Sequence, residues 1–316
     1  MNRFASKYAS CWTALSLVCL SAQAQDVSIV PAAATVAIDC HHMVVPDKSV
    51  LSVEVARDAS KGLYVYRYTL RTSDPASAGV QAVLFEDLAD SRSSSNFEGA
   101  RPCVIENGSA ACPGGSANLA GGVARGLTLE SRAAPGVVRY SLIGEVRSGL
   151  SDADLQRLAD QFGGDRDRMQ TSVDQVLSSS CPYGQAKDAF EQGMTGTIVG
   201  PSDVKMLETA FTGPAPADTT DREVELRTDA LRQDSITVTD SRLSPLQVGP
   251  SALERKADGT PVVRFTLDPT SARCNARGVL VRAQMQDGTA VAGSLDIEPP
   301  ACPSQVDQAL LVVPSG

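Results

Sequence analysis

Two periods of hydrophobicity divide the chain. From residue 26 to about residue 147, apolar and polar positions alternate with period two, as half-buried strands do. Leu51-Ser52-Val53-Glu54-Val55 is one such run. Residues 63–71 read Leu-Tyr-Val-Tyr-Arg-Tyr-Thr-Leu-Arg. That order puts Tyr64, Tyr66, Tyr68 and Leu70 on one face and Arg67, Thr69 and Arg71 on the other. Residues 80–85 and 137–146 are further predicted strands. Clusters of Gly, Ser, Asn and Pro separate them, notably residues 91–96 and 113–122. Short strands with turn signals between them predict a β-sandwich over residues 25–149.

At Ser151 the period lengthens. Ser151-Asp-Ala-Asp154 reads as a helix cap with acids in the first turn. Leu155, Leu158, Ala159 and Phe162 follow at helical spacing, and Gly163-Gly164 ends the run. Met169, Val173, Val176 and Leu177 form a second helical stripe, and residues 186–192 a short third piece. Ser202 is placed to cap a fourth helix with Val204, Leu207, Ala210 and Phe211 turned inward. Residues 150–212 are therefore expected to form a small helical insertion packed on the first domain.

Residues 213–221, rich in Pro, Ala and Thr without apolar period, read as an interdomain linker. Alternation then resumes at Val224/Leu226, Ile236/Val238, Val263/Phe265/Leu267, Val279/Val281/Ala283/Met285 and Val291/Gly293/Leu295/Ile297. A second, smaller β domain is expected over residues 222–316. No solenoid-type repeat of fixed period occurs.

The N-terminus has a different character. Arg3 and Lys7 precede an uncharged, mostly apolar or small stretch from Ala9 to Leu20, and Ala22-Gln23-Ala24 gives the small-x-small pattern of a cleavage point. This is the layout of a signal peptide over residues 1–24, with the mature chain beginning near Gln25. The run is too short to span a bilayer, and no later apolar run of spanning length follows, so no membrane span is expected in the mature chain. Bulky Val18 before Cys19 argues against lipid attachment there. The expected location is exported, periplasmic or extracellular.

Composition narrows the function. The chain has 316 residues with 42% hydrophobic and 21% charged, enough to bury a core in each of two domains. A formal charge of −9 argues against nucleic-acid partners, since phosphate contacts need clustered Lys and Arg. Loss of Arg3 and Lys7 with the signal makes the mature chain more acidic still. Two histidines leave little scope for histidine catalysis or a polyhistidine metal site.

Cys11 and Cys19 leave with the signal. Cys40, Cys103, Cys112, Cys181, Cys274 and Cys302 remain, an even number in an exported chain, which predicts three disulfides. Six cysteines permit 15 pairings. Spacing ranks one first. Cys103 and Cys112 flank an Asn107-Gly108 hairpin signal; Cys274 and Cys302 are alone in the last third; Cys40 and Cys181 are left. CxxC-like spacing is absent, so no metal site and no cofactor is expected.

Two stretches carry a family resemblance. One is Gly62-x-Tyr64-x-Tyr66-x-Tyr68 followed by Gly126-Leu-x-Leu-x-Ser131-x-x-Ala-Pro135-Gly136-Val-Val-x-Tyr140. The other is Asp287-Gly288-Thr-x-Val291-x-Gly293-Ser-Leu-Asp-Ile297. Together, over about a quarter of the chain, they resemble a loose group of bacterial exported β proteins with immunoglobulin-like folds. The group's Asp-rich calcium-type loop and C-terminal sorting tail have no counterpart around Asp258-Gly259 or in residues 312–316. The resemblance implies export and an immunoglobulin-like β-sandwich fold. It implies no activity.

Few residues combine into recognisable chemistry. Asp39-Cys40-His41-His42 is the densest reactive cluster, but in a strand His41 and His42 point to opposite faces, and Cys40 is expected to be oxidised. Tyr64, Tyr66 and Tyr68 are a candidate stacking surface for sugars, set against a tyrosine-lined core with hydroxyls at its rim. No Gly-x-Ser-x-Gly, no His-Glu-x-x-His and no phosphate loop occurs. Asp152, Asp154, Asp165 and Asp167 fit solvated helix starts better than a calcium loop. The expected protein is thus an exported, non-catalytic binding or surface protein whose partner is an unidentified protein or cell-surface component. A secreted carboxylate-dependent hydrolase is the alternative; it needs a cleft with two carboxylates about 5–10 Å apart.

Overall fold

The computed structural model describes residues 34–72, 79–115, 122–149, 152–181, 192–212, 221–228, 230–300, 302 and 308–313. The expected signal peptide and, but for Gln192, the expected helical piece at 186–192 lie outside them. The fold is mainly β, built as two sandwiches with two helices to one side.

The tyrosine strand is central to the first sandwich. One sheet runs, in spatial order, Ser49–Asp58, Leu63–Thr72, Val123–Ser131 and Ser91–Ser95. The facing sheet runs Met194–Pro201, Pro135–Ile143, Ala82–Glu86, Ser109–Pro113 and Val104–Glu106. All these pairings are antiparallel. Tyr66, Tyr68, Leu70, Phe85, Leu127 and Leu142 interdigitate between the sheets with no exposed surface. Asn107 (φ 49°) and Gly108 (φ 78°) close the hairpin between the last two strands of the second sheet, and the Cys103–Cys112 bond spans it. Residues 91–95, where the serine run reads as a separating loop, instead form an edge strand on Val123–Ser131. An edge strand needs only one packed side, so ladder pairing overrides weak strand propensity there.

The second sandwich also joins two four-stranded sheets. Thr209–Thr212, Arg222–Arg227, Pro261–Leu267 and Ala252–Arg255 form one. Lys205–Met206, Ala290–Asp296, Gly278–Gln284 and Thr237–Asp240 form the other. Val224, Val263, Leu267, Val279 and Val281 fill the space between them.

Residues 202–211 depart from the expected helix. Lys205–Met206 runs parallel to Val291–Ala292, and Phe211 lies opposite Val224 in an antiparallel pair. The i, i+3, i+7 spacing of Val204, Leu207 and Phe211 fits both readings; two open edges of the second sandwich decide it. The expected linker at 213–221 therefore connects two adjacent strands of one sheet, and the chain crosses between sandwiches earlier, near residue 202.

The helices are α1 (Asp152–Gln161) and α2 (Arg166–Ser180). Gly163 and Gly164 adopt φ of 66° and 83° between them, and Asp165 caps α2 by accepting the Arg168 N–H at 3.0 Å. They do not pack on the tyrosine core. Leu158, Phe162, Met169, Val173 and Leu177 bury against Ile38 and Leu311 from a separate three-stranded sheet of Val146–Gly149, Ala34–Met43 and Gln308–Val313. The Cys40–Cys181 bond (Cα–Cα 5.4 Å) ties that sheet to the end of α2. A strand from the far end of the chain thus completes a sheet begun near residue 34, a pairing across the division at 149 and 222 read from the sequence. The Cys274–Cys302 bond completes the three pairs.

Candidate functional site

The candidate residues read from the sequence do not meet in one place. Cys40 is held in a disulfide, so it has no thiol to act as nucleophile. His41 and His42 continue the same strand, where the register shifts between Asp39 and His42; their side chains lie outside what is described. Tyr66 and Tyr68 are buried in the first core, which corrects the stacking-surface reading for both. Their hydroxyls donate to main-chain carbonyls, Tyr66 to Ala133 at 2.9 Å and Tyr68 to Val199 at 3.2 Å. Burial pushes both phenols well above their ordinary range, so both stay protonated donors. Tyr64 remains half-buried, with the Arg57 guanidinium 5.8 Å from its ring centre.

One cleft brings carboxylates and cations together. A polar cleft of about 620 Å³ carries Lys61, Asp90, Arg92, Glu130, Arg132 and Asp203. Glu130 is bound to Arg92 at 2.7 Å, and that hydrogen bond holds its carboxyl below the usual range. Asp58, Asp234, Asp258 and Asp287 are likewise pushed down by hydrogen bonds to the ionised form. Burial opposes ionisation of Glu225, but bonds from Lys256, Arg227 and Arg264 outweigh it. A glycosidase acid needs the opposite, a carboxyl raised by its surroundings. Among the described residues no group of three or more His, Cys, Asp or Glu gathers as a metal site.

Two features at the junction of the sandwiches were not visible as motifs. The first is a sheet edge beyond which no described strand pairs. Ser49–Asp58 ends its sheet, is ten residues long, and leaves Val50 at 56% and Val55 at 38% exposure. Beside it lies a groove of about 400 Å³, lined by Val50, Val53, Tyr140, Thr197, Arg277 and Asp296. Arg277 from the second sandwich donates to the carbonyls of Asp47 and Ser49, which fixes the start of the edge. Burial pushes the Tyr140 phenol up. The Thr197 hydroxyl is buried in the groove wall without a hydrogen-bond partner among the described residues.

The second feature is a pocket of about 300 Å³ where Arg139, Arg242 and Arg273 converge, with Glu86 and the hydroxyls of Thr195 and Ser241. The seam around both features is tightly bonded. Thr195 donates its N–H to the Asn275 carbonyl at 2.9 Å and accepts from the Arg277 N–H at 2.7 Å. A Cβ on Gly278 would lie 2.8 Å from the Thr197 nitrogen, so glycine there permits the close approach. Val137, Leu280 and Ala292 form a small apolar contact between the sandwiches. These residues come from several separate stretches of the chain, so no single spacing pattern signals them.

Comparison with known proteins adds little to this picture. No protein-family model matches the chain, and no curated protein does. Among solved structures, the N-terminal periplasmic domain of ScsB from Proteus mirabilis aligns over 80% of this chain and 94% of its own, at 9% identity and a TM-score of 0.19. Bovine butyrophilin aligns over 74% and 91%, at 8% identity and a TM-score of 0.21. Similarity at that level carries no argument about function. The three disulfides fit an oxidising location. Among the described residues, no helix is long and apolar enough to cross a membrane.

Proposed function

We propose that this is an exported, non-catalytic binding protein that captures an extended polypeptide segment of its partner by strand addition to Ser49–Asp58. The open edge carries the reading. A sheet edge presents alternating N–H and C=O groups at strand spacing, and an extended backbone is the ligand that pairs with them in series. Natural sheets usually shorten or cover such edges to avoid unwanted pairing. Here the edge is long and lies beside a groove that a ligand side chain can enter. In strand addition the main chain supplies affinity and side-chain pockets supply specificity. Tyr140, Arg277 and Asp296 give the groove a polar lining, and Val50 and Val53 give it an apolar one. Export rests on the N-terminal pattern of residues 1–24 together with the disulfides.

The test uses the mature chain panned against a phage-displayed library of linear peptides. Enriched peptides are expected to slow amide exchange across residues 50–57 and to lose affinity with Val50→Glu. Absence of enrichment over an unrelated protein, or protection confined to other strands, overturns the reading.

A further inference from the structure

The geometry points to a binding site for a small oxyanion, a carboxylate or phosphate group, in the arginine pocket of the seam. This inference is independent of strand addition: it concerns different residues and a different ligand.

Each arginine is positioned by its own device. Arg139 projects from Pro135–Ile143 with 13% of its side chain exposed, and its fork is spread over Glu86 at 2.9 Å and Asp87 at 2.7 Å. Asp87 also receives Arg282 at 3.3 Å, so its charge is divided between two guanidinium groups. Arg242 donates to the Gly193 carbonyl, which holds it against the first sandwich. Arg273 is exposed at the rim, and its guanidinium has no hydrogen bond or ion pair among the described residues. One wholly buried carboxylate sets the two loops. Asp240 accepts the main-chain N–H groups of Arg242, Ser244 and Arg273, each at 2.9 Å. Its charge is therefore occupied with backbone N–H groups and, among the described residues, forms no ion pair with the Arg273 guanidinium, which is the fork turned to the rim of the pocket.

The backbone around the pocket is also unusual. Asp87, Leu243 and Asn275 each have φ of 64°, three of the four described non-glycine residues in the left-handed region. Asp and Asn enter this region readily, whereas Leu243 is strained there, and such strained residues gather where surrounding structure holds a binding geometry. Leu243 and Asn275 belong to the two loops that carry Arg242 and Arg273, and the Cys274–Cys302 bond anchors the second loop.

Three guanidinium groups line the pocket against the carboxylate of Glu86, with Asp87 and buried Asp240 behind them, in a chain of net charge −9. Guanidinium presents paired donors that match the two oxygens of a carboxylate or phosphate. Arg273 brings a fork not used within the protein. The Thr195 and Ser241 hydroxyls share one hydrogen bond at 2.7 Å, and whichever accepts in it keeps its own proton to donate to a ligand. The volume suits a compact ligand.

The experiment follows thermal unfolding and calorimetric binding of the mature chain in sodium phosphate or sodium succinate, against sodium chloride of matched ionic strength. Saturable stabilisation is expected with at least one oxyanion. Arg273→Ala should unfold like the wild type without ligand and bind roughly tenfold or more weakly. Arg273→Lys, which keeps the charge and loses the fork, should fall between them and guards against a folding effect. Arg92→Ala, in the other cleft, should bind normally. Binding of phosphate alone assigns a phosphate-bearing ligand, and of succinate alone a carboxylate-bearing one. Response to neither, or equal affinity in Arg273→Ala and wild type, overturns the inference.

Discussion

Ala34 lies directly opposite Val313, so the first and last described residues of the chain are cross-strand partners. Two places on, Val36 faces Leu311, which is 2% exposed and packs among the helices' apolar side chains. The small helical unit is closed by a strand from the other end of the sequence.

Leu311→Ala should therefore cost about 2–4 kcal/mol, the usual loss for emptying a buried leucine site. The damage should be local. Hydrogen exchange should quicken in α1, α2 and residues 34–43 while the tyrosine core keeps its protection. Uniform loss of protection across both sandwiches would show that the unit has no separate core.

The disulfides differ in the loops they close. Cys40 and Cys181 are 141 residues apart, and Cys103 and Cys112 only 9. The chain-entropy relation assigns the first at most about 5 kcal/mol and the second about 2.7 kcal/mol. Replacing Cys40 and Cys181 together by Ser should lower the melting temperature more than replacing Cys103 and Cys112. The reverse order in calorimetry of the two double variants would count against this.

Glu225 gives the second sandwich an acid-sensitive tie. Its side chain is 2% exposed and touches Lys256 at 2.5 Å, Arg227 at 3.3 Å and Arg264 at 3.3 Å. Its folded-state carboxyl titrates below the ordinary value of 4.5, so the stabilisation is present above pH 4.5 and is lost as pH falls through the lower folded value. Glu225→Gln should be less stable than wild type by about 2 kcal/mol near neutrality, since hydrogen bonds to a charged group are lost and the cations are partly solvated. That gap should narrow in acid. A gap independent of pH between neutrality and pH 3, measured by urea unfolding, would falsify the assignment.

Gly278→Ala should open the seam. The added methyl would sit 2.8 Å from the Thr197 nitrogen and 2.9 Å from its hydroxyl oxygen, and the nitrogen is backbone that cannot swing aside. Each sandwich keeps its own core, so both should stay folded while their contact loosens. The expected readout is a larger radius by small-angle scattering and faster cleavage near residue 202. An unchanged scattering profile would argue that the seam adapts.

What was legible in the sequence was local. Alternation in residues 63–71 placed Tyr66, Tyr68 and Leu70 on one face, because strand geometry alone sends alternate side chains to one side. The stripe from Leu155 to Phe162 and the Gly163-Gly164 stop marked α1 for the same kind of reason. Spacing, with the Asn107-Gly108 turn between Cys103 and Cys112, ranked first the three disulfide pairs that the structure contains. Where a residue pattern suited two elements, the sequence could not choose. Val204, Leu207 and Phe211 satisfy a helix stripe as well as strand edges, and only open edges on the second sandwich select strands. The serines at 91–95 lack strand propensity and pair because Val123–Ser131 needs a neighbour. The candidate sites lie wholly at this tertiary level. Arg139, Arg242 and Arg273 come from separate parts of the chain, and Ser49–Asp58 is an open edge only because no other described strand pairs beyond it. Periodicity decides which way a side chain faces; long-range packing decides what it meets there, and that meeting carries the candidate chemistry of this protein.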